Sequence, residues 1–168
     1  GFDTDSQRVE QINRGEQVMR HISRKAMQEL ARNGEATVDF ARLGEADAVL
    51  ICVPTPLDKH HQPDMSYVET AADAITATLR EGQLIALEST TWPGTTRELL
   101  LPRLEASGLR AGKDYFLAYS PEREDPGNEN YGMGDIPKVV SGYTDACRDL
   151  AVALYESVVP RTVPVSSL

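Results

Sequence analysis

Six consecutive apolar residues, Ala48-Val49-Leu50-Ile51-Cys52-Val53, stand between Asp47 and the turn Pro54-Thr55-Pro56. A run of that length bounded by turn residues suits a strand buried on both faces, and it is far too short to span a bilayer. Helix-like stretches surround it. Residues 6–14 read as a helix, with Ser6 as cap, Val9 and Ile12 on one face and Gly15 as stop. Residues 23–33 read as a second helix ended by Gly34. Residues 36–38 lean to β, and Asp39 can cap a short helix through Leu43. Further on, helices are expected over 66–80, with Asp64 or Ser66 near the start, and over 95–106 and 145–157. Strands are expected over 84–87, 115–118, 138–140 and 162–165. Strand and helix alternating at this spacing predict an α/β fold, a doubly wound parallel sheet with right-handed crossovers and helices on both faces.

Composition narrows the partners. Lys and Arg number 17 against 26 Asp and Glu, a formal net charge of −9, so the chain is a poor general binder of nucleic-acid backbone or of an anionic membrane. The two cysteines, Cys52 and Cys147, make no disulfide framework. His60-His61 lacks metal-ligand spacing, the 125–129 stretch lacks the alternating ligands of a calcium loop, and no metal is expected. Neither a G-x-S-x-G elbow nor a Walker loop occurs. The first residue is Gly1 and no signal-peptide pattern follows, so the chain is expected to start inside a longer protein.

Three strands are each followed by an unusual cluster. Val53-Pro54-Thr55-Pro56 follows the first, Glu88-Ser89-Thr90-Thr91-Trp92-Pro93-Gly94 the second, and Ser120-Pro121-Glu122-Arg123-Glu124-Asp125-Pro126-Gly127 the third. In a parallel sheet these carboxyl ends share one edge, and ligands of doubly wound sheets bind in the crevice outside it. Asp3, at the end of the strand-like Gly1-Phe2-Asp3, stands where an acid would hold ribose hydroxyls, with Arg8 five residues on. Plainer readings stay open. An Asp in the place of Asp3 is usually just a helix cap, Thr90 and Thr91 can cap the helix near Thr95, and Glu122, Glu124 and Asp125 can be a solvated loop. Trp92 reads as a packing residue.

The runs just quoted, with Gly1-Phe2-Asp3-Thr4-Asp5 and the continuation to Asn128, resemble those of the nucleotide-sugar 6-dehydrogenases, the UDP-glucose/GDP-mannose dehydrogenase family. The run Glu122-Arg123-Glu124-Asp125-Pro126-Gly127-Asn128 is most similar to the UDP-N-acetylglucosamine branch. The resemblance implies a Rossmann-like NAD-binding domain and a two-step, NAD-dependent oxidation of a UDP-sugar's C6 alcohol to the carboxylate, through a thiohemiacetal and thioester on a cysteine. It implies Asp3 and Arg8 at the adenosine, Val53, Pro54, Thr55 and Pro56 along the dinucleotide, and Ser89 near the nicotinamide. Thr90 would hold the reacting water, Glu122 would handle protons beside nicotinamide and sugar, and Arg123 would meet the anionic substrate.

Departures from the family carry expectations too. The family's first strand, its glycine-rich turn, its central helix and the later domain with the nucleophilic cysteine have no counterpart in these 168 residues, and neither Cys52 nor Cys147 matches that cysteine. The chain is therefore expected to be a partial NAD-binding domain, with unpaired strand edges, unstable and inactive when expressed alone. The full-length protein is expected to be cytoplasmic and a homodimer or larger. The alternative is a non-catalytic nucleotide-binding or sensing module of the same fold. A β-hydroxyacid dehydrogenase would carry a different serine-glycine signature after the strand, and none occurs.

Overall fold

The structure is a computed structural model that describes residues 1–19, 22–57, 59–122 and 136–168. It forms two compact units, Gly1–Arg42 and Leu43–Leu168.

In the first unit, α1 spans Ser6–Asn13 and α2 spans Arg24–Asn33. The cap of α1 is Asp5 rather than Ser6, because its carboxylate accepts two first-turn N–H groups, those of Gln7 at 2.9 Å and Arg8 at 3.2 Å. Ser23 caps α2 by accepting the N–H of Ala26. The β-leaning residues 36–38 form a single parallel bridge, Phe2 to Thr37, rather than a strand. The Asn13 side chain clasps both backbone groups of Ala36, at 2.9 and 2.7 Å, and Val9, Met27 and Ala36 are buried.

The second unit holds a five-stranded sheet in chain order: β1 (Ala48–Ile51), β2 (Leu84–Leu87), β3 (Phe116–Tyr119), β4 (Lys138–Gly142) and β5 (Thr162–Pro164). β1, β2 and β3 run parallel and in step, Ala48 beside Leu84 beside Phe116. β4 departs from the expected all-parallel sheet. It pairs antiparallel with β3, Tyr119 opposite Ser141, and β5 then runs parallel to β4. A parallel neighbour needs a crossover to the far end of the sheet, whereas an antiparallel one is entered from the end just left. β4 therefore begins at the carboxyl edge of β1, β2 and β3.

β1 also stops short of the apolar run. Pro54 has no N–H and restricts Val53, and the N–H groups of Glu88 and Ser89 both converge on the Ile51 carbonyl, at 3.0 and 3.1 Å. Cys52 lies beyond the ladder and is exposed, as is Leu50, so this run is not buried on both faces as expected. β1 has one neighbour among the described residues.

Leu84, Ala86, Ala118 and Val140 pack against Ala151 and Tyr155 of α5 (Asp145–Glu156). Ile85, Leu87 and Leu117 alternate to the other face and are fully buried. α3 (Ser66–Thr76) packs against α4 (Leu101–Glu105). The helix expected over 95–106 is split into a π-helical turn, Thr96–Leu100, followed by α4 with Pro102 in its first turn. Pro102 donates no N–H, so the usual bond to the carbonyl four residues back is missing where the turn widens. No helix among the described residues is long and apolar enough to cross a membrane.

Candidate functional site

The in-step strands end together at Ile51, Leu87 and Tyr119, so the segments after them emerge on one edge. Hydrogen bonds join the first two segments. The buried Ser89 hydroxyl lies 2.8 Å from the Val53 carbonyl and 3.2 Å from that of Ile51, and donates to this pair. The Thr55 hydroxyl donates to the Thr90 carbonyl at 2.8 Å. Val53 and Thr55 are half-buried, and Pro54 and Pro56 are exposed beside them. Beyond them, Leu57 is bridged antiparallel to Pro63.

Thr90 itself is exposed, and its hydroxyl has no hydrogen-bond partner among the described residues. The π-helical turn after it has no side-chain cap, so the capping reading of Thr90 and Thr91 does not hold. Trp92 is 38% exposed rather than packed in a core, and lines an open groove with Asp73 and Arg103.

The third segment joins the second through the Glu122 N–H, which donates to the Glu88 carbonyl at 3.2 Å. The Glu122 carboxylate is half-exposed and lies 3.8 Å from the Lys138 ammonium. Arg123, with Glu124 and Asp125, lies outside the described residues.

Four residues at this edge escaped the sequence reading as a group: Cys52, Glu88, Lys138 and Tyr155. Lys138 pairs with Glu88 at 3.2 Å, and Glu88 also accepts from the Tyr155 hydroxyl at 2.7 Å and the Cys52 thiol at 3.2 Å. Desolvation first, and then the Glu88 carboxylate, push the Cys52 thiol up to about 12. The thiol therefore stays protonated at neutral pH and serves as a donor, not a nucleophile. The same two causes raise the Tyr155 phenol. Cys147 is buried in α5, where its sulfur accepts from the Leu117 N–H and the Thr144 hydroxyl. An acid beside the Ser-Thr pair was visible in Glu88. Lys138 was not, because the first residue of a parallel β4 would start from the opposite edge.

In the first unit, Asp3 directly follows the Phe2 bridge and precedes α1. Its Oδ1 accepts the Asp5 N–H at 2.9 Å and its Oδ2 the Arg8 guanidinium at 3.2 Å. Asp3 and Arg8 are thus paired with each other. An ionised carboxylate has about four lone-pair sites, so two remain for outside hydroxyl donors.

The model of the UDP-glucose/GDP-mannose dehydrogenase family, NAD binding domain, matches residues 1–159. The chain is 34% identical over 160 residues to the UDP-N-acetyl-D-glucosamine 6-dehydrogenase of Pseudomonas aeruginosa, covering 95% of this chain and 38% of that protein. It is 37% identical over 168 residues to the UDP-N-acetyl-D-mannosamine dehydrogenase of Salmonella typhi, covering 93% and 39%. Among solved structures, the NDP-N-acetyl-D-galactosaminuronic acid dehydrogenase of Methanosarcina mazei Go1 superposes with a TM-score of 0.91 at 31% identity, over 99% of this chain and 38% of that one. The chain thus spans about two fifths of the length of these relatives.

Proposed function

Since the chain belongs to the UDP-glucose/GDP-mannose dehydrogenase family, we propose that it is the cofactor-binding portion of a longer NAD-dependent enzyme that oxidises the C6 alcohol of UDP-N-acetylglucosamine to the uronic acid. The observation that carries the reading is the convergence of Val53 to Thr55, Ser89 to Thr90 and Glu122 on the carboxyl edge of three in-step parallel strands. The remaining length supplies the sugar-binding part and the nucleophile.

The residues present fit the cofactor. Asp3 offers a preoriented carboxylate with room for the two vicinal hydroxyls of a ribose, and Arg8 fixes its orientation from the adenosine side. The Pro54 and Pro56 rings hold an extended, donor-poor backbone that a dinucleotide can lie along. Ser89 acts through this backbone: its hydroxyl ties Val53 and Ile51 to the second segment, so the loop keeps its position when a ligand arrives. NAD, when bound, accepts a hydride.

The chain's own residues manage the proton and the water. Taking an alcohol to a carboxylate removes two hydrides in two steps and adds one water, releasing three protons in all. Glu122 takes the proton of the C6 hydroxyl as its carbon loses hydride. Thr90, with an exposed and locally unpartnered hydroxyl, orients the water of the hydrolytic step. Arg123 meets the anionic substrate.

The test uses the full-length enzyme. NADH formation is followed with UDP-N-acetylglucosamine, UDP-N-acetylmannosamine and UDP-glucose, beside a Thr90→Ala variant. Two NADH per UDP-N-acetylglucosamine, with Thr90→Ala slowed about tenfold or more, is the expected result. NAD binding with no NADH from any of the three sugars would overturn it in favour of a nucleotide-binding module.

A further inference from the structure

Glu88 and Lys138 form an ion pair where both side chains are nearly buried, 12% and 14% exposed. Stability is a poor reason for such a pair. Removing two charges from water costs several kcal/mol per ion, and their attraction offsets this only when the remaining polar atoms are also satisfied. Here they are satisfied. Lys138 and the Tyr155 hydroxyl both converge on Oε1 of Glu88, and the Cys52 thiol donates to Oε2. The Lys138 ammonium also stands 5.0 Å from the centroid of the Tyr155 ring. With three donors on one carboxylate and only 12% of its side chain exposed, Glu88 is turned to the protein's own groups.

Lys138 has a second carboxylate within reach, Oε2 of Glu122 at 3.8 Å. The backbone explains why. β3 and β4 pair Tyr119 with Ser141, and the same register continued three residues further sets Glu122 opposite Lys138. The Glu122 N–H meanwhile donates to the Glu88 carbonyl. Glu122 is therefore held at its backbone by Glu88 and faced at its carboxylate by the cation that Glu88 anchors. The two glutamates differ in exposure: Glu88 is locked inside, whereas Glu122 is half-exposed at the edge.

We propose that Lys138 is a positioning residue for the oxidation, fixing the Glu122 carboxylate at the edge while Glu88, Tyr155 and Cys52 form the base on which its ammonium stands. The proposal deepens the function above and rests on its placing of Glu122 at the reacting hydroxyl. Flanked by two carboxylates, Lys138 belongs to a triad of net negative charge, so it does not serve as a receptor for the substrate's phosphates.

The experiment is a double-mutant cycle in the full-length enzyme, measuring kcat, the KM for UDP-sugar and the Kd for NAD. The variants are Lys138→Met, Glu122→Gln and the pair. Lys138→Met is expected to lower kcat about tenfold or more, with the NAD Kd unchanged within about twofold. In the Glu122→Gln background it is expected to cost nothing further, because the carboxylate that Lys138 positions is already gone. Lys138→Arg, which keeps a cation there, is expected to recover part of kcat. An equal slowing by Lys138→Met in both backgrounds would overturn the proposal, since Lys138 would then act independently of Glu122. Full activity in Lys138→Met beside a slow Glu122→Gln would overturn it too, yet leave Glu122's role standing. Full activity in Glu122→Gln would remove the reading of Glu122 and this proposal together. If Lys138→Met does not fold, Lys138→Gln, which keeps a donor of similar reach without the charge, takes its place in the same cycle with the same outcomes.

Discussion

Tyr115 is fully buried just before β3, and its hydroxyl has no hydrogen-bond partner among the described residues. Burial is the main cause that raises its pKa. A buried hydroxyl without a partner loses its hydration and regains nothing, so Tyr115→Phe is expected to stabilise the protein by about 1 kcal/mol. Urea unfolding measures this directly, and a loss of stability would mean that the hydroxyl has a partner in solution. Residues of this kind cannot be recognised from sequence, where Tyr115 is simply the apolar start of a strand. The candidate site was more legible. Pro54, Ser89, Thr90 and Glu122 stand out because prolines, hydroxyls and a carboxylate just after strands are chemically conspicuous within a few residues. Their division of labour was not legible. Ser89 turns inward to Val53 while Thr90 faces out.

At the scale of elements, the contact between β4 and α5 is the tightest to alter. A Cβ on Gly142 would lie 2.6 Å from Cα of Arg148 and 2.7 Å from the carbonyl carbon of Cys147. The first turn of α5 therefore sits directly on the last residue of β4, closer than any side chain permits. Gly142→Ala must push α5 away and is expected to cost about 1–3 kcal/mol. A thermal melt within a degree of the unaltered protein would show that α5 shifts freely. The elements themselves are largely legible in the sequence, since apolar period, caps and stops are local signals: α2, α5 and β2 fall within a residue or two of expectation. The π-helical turn before Pro102 and the early end of β1 were not, because each depends on hydrogen bonds that a proline removes and a neighbour redirects.

At the scale of the whole molecule, three acidic groups hold their protons unusually tightly. Burial raises Tyr115 and Tyr155, and Cys52 is pushed up to about 12. Below about pH 7.5 all three are protonated in both folded and unfolded chains, and their contribution to stability is fully present. Above it the unfolded chain loses these protons first, so stability falls as the pH rises towards the folded-state values. Melting temperatures from about pH 7 to pH 11 should therefore begin to decline at about pH 8, where the unfolded Cys52 titrates, and fall further beyond about pH 9 as the tyrosines follow, less steeply in Tyr155→Phe. Equal slopes in the two proteins would rule out Tyr155 as a source. Tyr155 reaches Glu88 across 67 positions of the chain, and Lys138 reaches it from the start of β4, the strand that pairs antiparallel with β3. The amino-acid sequence by itself determined the alternation of strands and helices and the three clusters at the strand ends, because φ restriction at proline and the periods of helix and strand act over a few residues. Only the tertiary structure decided the direction of β4, and with it the placing of Lys138 beside Glu88 and Glu122, since strand direction is chosen by pairings between residues that no local pattern connects.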